Sequence, residues 1–410
     1  MIKKIDNNLI LSLVLILFGI FIAYNRSSNF ADNDSYSLIN AYLSLIDEDT
    51  YKPSRGAYGH PIPEILIGFL SFHFGTKISN IFCFLLFSLS IIFFYKSFLK
   101  ENKNLYLFFL LVLSNSYLFL ENASSVDYPI ALFFLSIGYY FLVNRKYLLS
   151  SIIFGITIAS RVNFLIFIYP VLIIFFLNEI KDKKIKNLIF SFLITTIVGL
   201  LFYYRLFDLH NFSLDFLEIP FIKENNNNSG WYGGPKLEFS SLFPRFIYKT
   251  YLLIGIFSVF IFLIFLKDLI YKIQFKEIIN IILIFIISIN LLLFFLSPTK
   301  ILLINPFIIV TYILIFKYLD KKKIYFLIIF NLIQWFVFYD VATIKYKEKD
   351  ICAAKQAIGY NFNFSFKKGV ILEYLTNKKD MTECYSEHMG IYSENFKKGK
   401  PLKFSRQTAG

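Results

Sequence analysis

Apolar runs of roughly 17–25 residues recur along this chain, each long enough to cross a ~30 Å hydrocarbon core as a helix. Short loops in which lysines cluster separate them. That pairing leaves few folds open. Of the 410 residues, 57% are apolar, 20% aromatic and only 17% charged, whereas a soluble domain carries about 25% charged residues. A soluble enzyme, a disordered chain and a disulfide-rich secreted domain are therefore set aside. The sequence describes an all-α polytopic membrane protein.

The formal net charge of +14 invites a nucleic-acid reading, but the placement of the cations opposes it. They gather in short loops, as the positive-inside rule expects of cytoplasmic loops, so no nucleic-acid partner is expected. Laid across the bilayer, the chain gives spans at 9–24, 78–99, 105–120 and 128–143. The run 147–177 is too long for one span and splits at Ser160-Arg161-Asn163. Further spans follow at 188–207, 248–266, 278–296, 301–315 and 324–339, about eleven in all. The first span follows Lys3 and Lys4 and lacks a small-residue cleavage site, so a retained anchor is expected rather than a signal peptide. The N-terminus is then cytoplasmic and the C-terminus extracytoplasmic, in the inner (cytoplasmic) membrane.

On this scheme residues 1–340 form the transmembrane domain, with a first outer loop at 25–77 and a second at 208–245. Residues 341–410 form a small outer α+β tail. Amphipathic stretches at 35–46 and 63–74 predict juxtamembrane helices in the first loop. The Asn225–Asn228 run and the Gly230–Pro235 stretch make the second loop irregular, either a substrate gate or a plain connector. In the tail, 350–358 reads as helix and 369–374 as strand. Cys83 lies in an apolar run as packing, whereas Cys352 and Cys384 can pair if that side is oxidising.

The spans carry almost no ionisable residue at mid-depth, only uncharged polar ones: Asn115, Asn290, Asn331 and Gln334. Neither an inverted repeat nor a pair of broken helices is evident. An ion-coupled transporter or a lipid-linked sugar flippase needs more charge than that. The polar chemistry lies instead at the outer face. There the first loop reads Asp32-Asn33-Asp34-Ser35-Tyr36, then Ser54-Arg55-Gly56-Ala57-Tyr58-Gly59-His60-Pro61-Ile62-Pro63-Glu64, and closes on Phe74-Gly75.

This loop resembles that of the GT-C superfamily of membrane glycosyltransferases, which use polyprenyl-phosphate-linked sugars. The nearest branch holds protein O-mannosyltransferases, lipid A aminoarabinose transferases and glycosyltransferase-39-like proteins. The likeness continues in Asp127 before the fourth span, in Gly155 through Ser160-Arg161, and more faintly in Lys300–Pro306. Ser35 stands where many members carry a second acid, so no metal is assigned to the pair and metal dependence is left open. The resemblance implies an inverting transferase whose partners are a polyprenyl-phosphate sugar, a glycan, lipid or protein acceptor, and membrane lipids. A polysaccharide polymerase or ligase is the alternative, although its key loop would fall late in the chain.

Sugar transfer from a lipid phosphate needs a carboxylate near the acceptor hydroxyl as general base. It also needs cations where charge develops on the departing phosphate. Asp34, just beyond the first span, suits the base; capping the helix that follows is the competing role, and the balance tips toward the cap for Asp32. Asp127 either orients a substrate or caps the fourth span. Arginine is scarce, seven against thirty-five lysines, yet Arg26, Arg55, Arg161, Arg205 and Arg245 all fall near the outer face. A guanidinium fork grips phosphate bidentately, which marks Arg55, Arg161 and Arg245, with Lys300, as donor-phosphate candidates. Headgroup snorkelling suits Arg26 and Arg205 better. His60 takes the place where the aminoarabinose transferases have a phosphate-contacting lysine before proline; a structural histidine is the plainer reading. Glu64 and Tyr36 are expected to line the cavity, with a surface role equally open for Glu64. His73, His210 and His388 show no metal-ligand spacing.

Overall fold

A computed structural model describes residues 7–26, 33–46, 51–54, 59–99, 104–179, 185–209, 277–296, 305–340, 343–346, 357–361 and 363–376, with isolated positions between 251 and 273. Among these the chain is almost wholly helical. Helix α1 is Asn7–Arg26, followed by α2 (Asn33–Ile46), α3 (Pro61–Phe74), α4 (Thr76–Phe98), α5 (Leu105–Leu113), α6 (Ser116–Glu121), α7 (Asp127–Val143) and α8 (Tyr147–Ser160). After a 3-10 turn at Val162–Phe164 come α9 (Leu165–Glu179), α10 (Ile185–Phe202) and α11 (Tyr204–Leu209). Later in the chain lie α12 (Ile278–Leu296), α13 (Asn305–Tyr318) and α14 (Lys321–Phe336). By length and hydropathy, α1, α4 and α10 qualify outright as membrane spans, and α7, α8 and α13 are shorter apolar helices.

Helix α4 is the hub, packed against α1, α3 and α7, while α8 packs between α7 and α10. The peripheral helices show how the bilayer selects residues. On α10 the leucines and isoleucines at 189, 193, 197 and 201 are exposed, whereas Ser191, Thr195 and Gly199, spaced four apart, are buried. That small stripe meets Ser151 and Gly155 of α8: Thr195 Oγ1 donates to the Ser151 carbonyl at 3.2 Å, and a methyl group on Gly155 would lie 2.6 Å from Val198 Cβ. Lipid is as apolar as leucine, so helices associate where small residues let backbones approach.

The expected break at Ser160-Arg161-Asn163 is present between α8 and α9. The third span differs from expectation: 105–120 is not one helix but α5 and α6, parted at Ser114-Asn115. Asn115 prefers to cap, and its side chain accepts from the Leu118 amide at 3.0 Å. The rest of the bundle satisfies what the break frees. Trp335 Nε1 donates to the Ser114 carbonyl at 2.6 Å, Asn331 Nδ2 donates to Ser114 Oγ at 3.0 Å, and Tyr312 accepts from both Asn115 and Asn331. Two of the polar residues expected at mid-depth, Asn115 and Asn331, thus share Tyr312 as acceptor.

The last helix also stops early. Instead of running to 339, α14 ends at Phe336 and the chain continues directly as strand β1 (Val337–Asp340), antiparallel to β4 (Ser365–Lys368); β2 (Thr343–Tyr346) pairs with β3 (Ala357–Asn361). Two tail expectations are corrected. Residues 357 and 358, read as the end of a helix, are strand; 350–356 lie outside the described residues, as do Cys352 and Cys384. Residues 370–374, read as strand, belong to helix α15 (Val370–Thr376). The run Val370-Ile371-Leu372 looks like a strand. Burial nevertheless falls on Ile371 and Tyr374, three apart on one helical face, and Tyr374 Oη reaches the Ile22 carbonyl at 3.2 Å.

Candidate active site at one end of the bundle

Contacts gather the expected outer-face residues at a single end. Arg26, closing α1, donates through Nη1 to the Leu120 carbonyl and lies 3.7 Å from Glu121 at the end of α6. It is buried rather than snorkelling, because the end of α6 offers it a carbonyl and a carboxylate. Arg205 is exposed and sits 4.0 Å from Asp208. Tyr374 ties the tail helix to this same end of α1. At the opposite end, Tyr325 of α14 meets Asn8 of α1, and Lys317 pairs with Glu277.

At the Arg26 end, three residues of the expected site converge. Asp127 opens α7 and is wholly buried. Arg161, at the α8–α9 break, pairs with its Oδ2 through Nη1 and donates through Nη2 to Tyr128 Oη at 2.5 Å. The guanidinium also lies 3.6 Å from the centre of the Tyr128 ring, a cation–π stack that ammonium cannot match as a planar fork. From the other side His60 Nε2 comes to 3.4 Å from the same Asp127 oxygen. Asp127 is therefore flanked by a guanidinium and an imidazole, and the break in 147–177 is what aims Arg161 at it.

Glu64 organises the approach to His60. Its carboxylate is fully buried, accepting from Tyr51 Oη at 2.6 Å and from the Ser54 and His60 amides at 2.8 Å each. Neither the open-cavity nor the surface expectation fits such enclosure; Glu64 staples 51–60 to α3. Burial first, and then the adjacent Glu64 charge, pushes the Tyr51 phenol well above the usual tyrosine range. Gly59 is obligatory here, since its φ is +56° and a Cβ would lie 2.6 Å from Glu64 Oε1. Tyr51 and Glu64, which hold His60 in place, were missed as a unit by sequence reasoning; Gly-His-Pro followed by an acid at the first helical turn was the available signal.

Asp34 is the second residue of α2, so it falls within the first turn rather than before it. The described part of α2 packs through Leu38, Ile39 and Leu43 against Ile67, Cys83 and Ile130. The side chains of Asp34 and Tyr36, and residues Asp32, Arg55, Arg245 and Lys300, lie outside the described residues, as does most of 208–245. Among the described residues no group of three or more His, Cys, Asp or Glu side chains gathers as a metal site.

The fold is a broken-span helical bundle whose buried polar cluster lies beside α3. Two solved structures share it. Against ArnT from Cupriavidus metallidurans bound to undecaprenyl phosphate, the TM-score is 0.54 at 12% identity, over 75% of this chain and 59% of that one. Against the same protein in the apo state it is 0.53 at 13% identity, over 74% and 58%. This chain thus spans less than two thirds of the length of the protein it resembles. No family model and no curated protein matches the sequence.

Proposed function

We propose that this protein is a glycosyltransferase that moves a sugar from a polyprenyl-phosphate donor to an acceptor hydroxyl at the outer face of the cytoplasmic membrane. The observation that carries the reading is the convergence of His60, Asp127 and Arg161 at one end of a bundle with the fold of ArnT. About eleven spans, a cytoplasmic N-terminus and an outer tail at 341–410 belong to the same proposal.

In this reading Asp34 removes the proton from the acceptor hydroxyl, whose oxygen attacks the anomeric carbon. The bond from that carbon to the phosphate oxygen breaks, with inversion, and the polyprenyl phosphate leaves with the negative charge. Asp127 is a poor choice of base because its Oδ2 is already taken up by Arg161 and faces His60 Nε2 at 3.4 Å. It acts instead to position those two side chains. Arg161 spends both terminal nitrogens on Asp127 and Tyr128, so the charge on the leaving phosphate falls to His60, Arg55, Arg245 and Lys300, with Arg161 supporting from behind.

The test is a transfer assay on purified protein with a panel of polyprenyl-phosphate sugars and membrane-derived acceptors. Release of polyprenyl phosphate that depends on both donor and Asp34 supports the reading. Donor binding without release in any combination refutes it.

A further inference from the structure

The two-stranded sheet that follows α14 has one face turned away from the protein. Paired register places Val337 opposite Lys368 and Tyr339 opposite Phe366, and alternation adds Phe364 to that side. Phe364 and Phe366 are 71% and 72% exposed, and both rings pack against Tyr339 with centroids 6.2 and 5.1 Å away. The opposite face is the one that packs inward: Phe338 is buried and meets the Tyr251 ring.

What covers the outward face is indicated by the helix leading into it. On α14 the exposed large apolar residues beyond Tyr325 are Phe326, Ile329, Ile333 and Phe336, at the three-and-four spacing of one helical face. This stripe runs through Val337, itself exposed, into Tyr339, Phe364 and Phe366 without an intervening loop. A stripe of ~15 Å on a 16-residue helix therefore ends in an aromatic plate, and the exposed Lys368, on the same face as Val337, closes the strand. Aromatic rings at the headgroup level, with cations beside them, are the chemistry of a bilayer boundary.

We infer that the β1–β4 sheet is an interfacial membrane anchor: Tyr339, Phe364 and Phe366 lie in the boundary between headgroups and acyl chains, and Lys368, on the same face, meets anionic headgroups. The occupant of this face is lipid, and the proposal is independent of the transfer reaction. The anchor fixes the tail against the membrane beside Tyr374, which is bonded to the end of α1.

The experiment uses the full chain in nanodiscs, with Phe364→Trp and Phe366→Trp made separately and the native protein, whose two tryptophans are Trp231 and Trp335, as the subtracted background. Lipids brominated near the headgroup or near the chain end report depth. The expected result is a blue-shifted added emission that loses about half its intensity to the shallow bromines and little to the deep ones. Replacing anionic by neutral lipid weakens the quenching, and Lys368→Glu abolishes that lipid dependence. An added indole that ignores both bromines and is quenched by acrylamide as strongly in nanodiscs as in detergent overturns the proposal. Shielding that follows protein concentration, or that appears only on adding a soluble glycan, overturns it too, pointing to a second copy or to the acceptor.

Discussion

The Asp127–Arg161 pair offers the sharpest quantitative test. Both side chains are withdrawn from solvent, Asp127 completely and Arg161 to 6% exposure. Removing one member of a buried pair strands the other charge, at about 3–5 kcal/mol, while replacing both with apolar groups of similar volume is neutral or stabilising by about 1–4 kcal/mol. Asp127→Leu alone removes the carboxylate that the buried guanidinium faces; Arg161→Met alone removes the guanidinium that the buried carboxylate faces. Each should destabilise the detergent-solubilised protein by about 3–5 kcal/mol, and the double variant should recover most of that loss. Thermal unfolding, followed by loss of the monodisperse peak on size exclusion, measures the cycle. Transfer activity should not return with stability in the double variant, because the carboxylate that faces His60 is gone. Single variants as stable as the native protein would mean that the pair is solvated, and a double variant no better than the worse single would mean that the two charges are not coupled. Recovered transfer in the double variant would remove the pair from the site.

Further outcomes follow from the same geometry. Asp34→Asn should insert normally and bind donor yet transfer about 10²–10⁴-fold more slowly, with Asp32→Asn milder, in an assay of polyprenyl-phosphate release. Gly59→Ala should cost about 1–3 kcal/mol through forced positive φ and the contact with Glu64, measured as a lower thermal midpoint. Glu64→Ala should cost more than Glu64→Gln, since only the first leaves the Ser54 and His60 amides without an acceptor. Because Tyr51 is held above its ordinary value of 10.0, its stabilisation is intact below that pH and lost as pH rises past it; Tyr51→Phe should flatten that alkaline decline in stability.

Much of the architecture was legible because the bilayer filters residues coarsely. Residues 278–296 were read as a span and form α12 with the same bounds, and the Ser160–Asn163 interruption was visible as three polar residues in an apolar run. The break at Ser114-Asn115 was harder to see. A serine and an asparagine can sit inside a helix, and only Trp335, far along the chain, makes the opened carbonyl affordable. The tail misled for a related reason: Val370-Ile371-Leu372 has strand propensity, but Ile371 and Tyr374 are chosen by α6 and α14, not by their neighbours. In the site, residue types pointed to Asp127, Arg161 and His60, whereas pairwise geometry could not be read. Arg161 stood out as a guanidinium near the outer face, but nothing in the sequence places Asp127 beside it.

The bond from Trp335 to Ser114 has a consequence for how the chain is made. A membrane protein enters the bilayer in order of synthesis, and 221 positions separate donor from acceptor. From the moment α5 and α6 are inserted until α14 arrives, the Ser114 carbonyl and the Ser114 hydroxyl lack their native donors in a medium that supplies almost none. The half-made bundle therefore carries an open account at its third span, closed only by the last helix. Chains that end before residue 335 should be the ones that membrane proteases find, even when every earlier helix has inserted correctly.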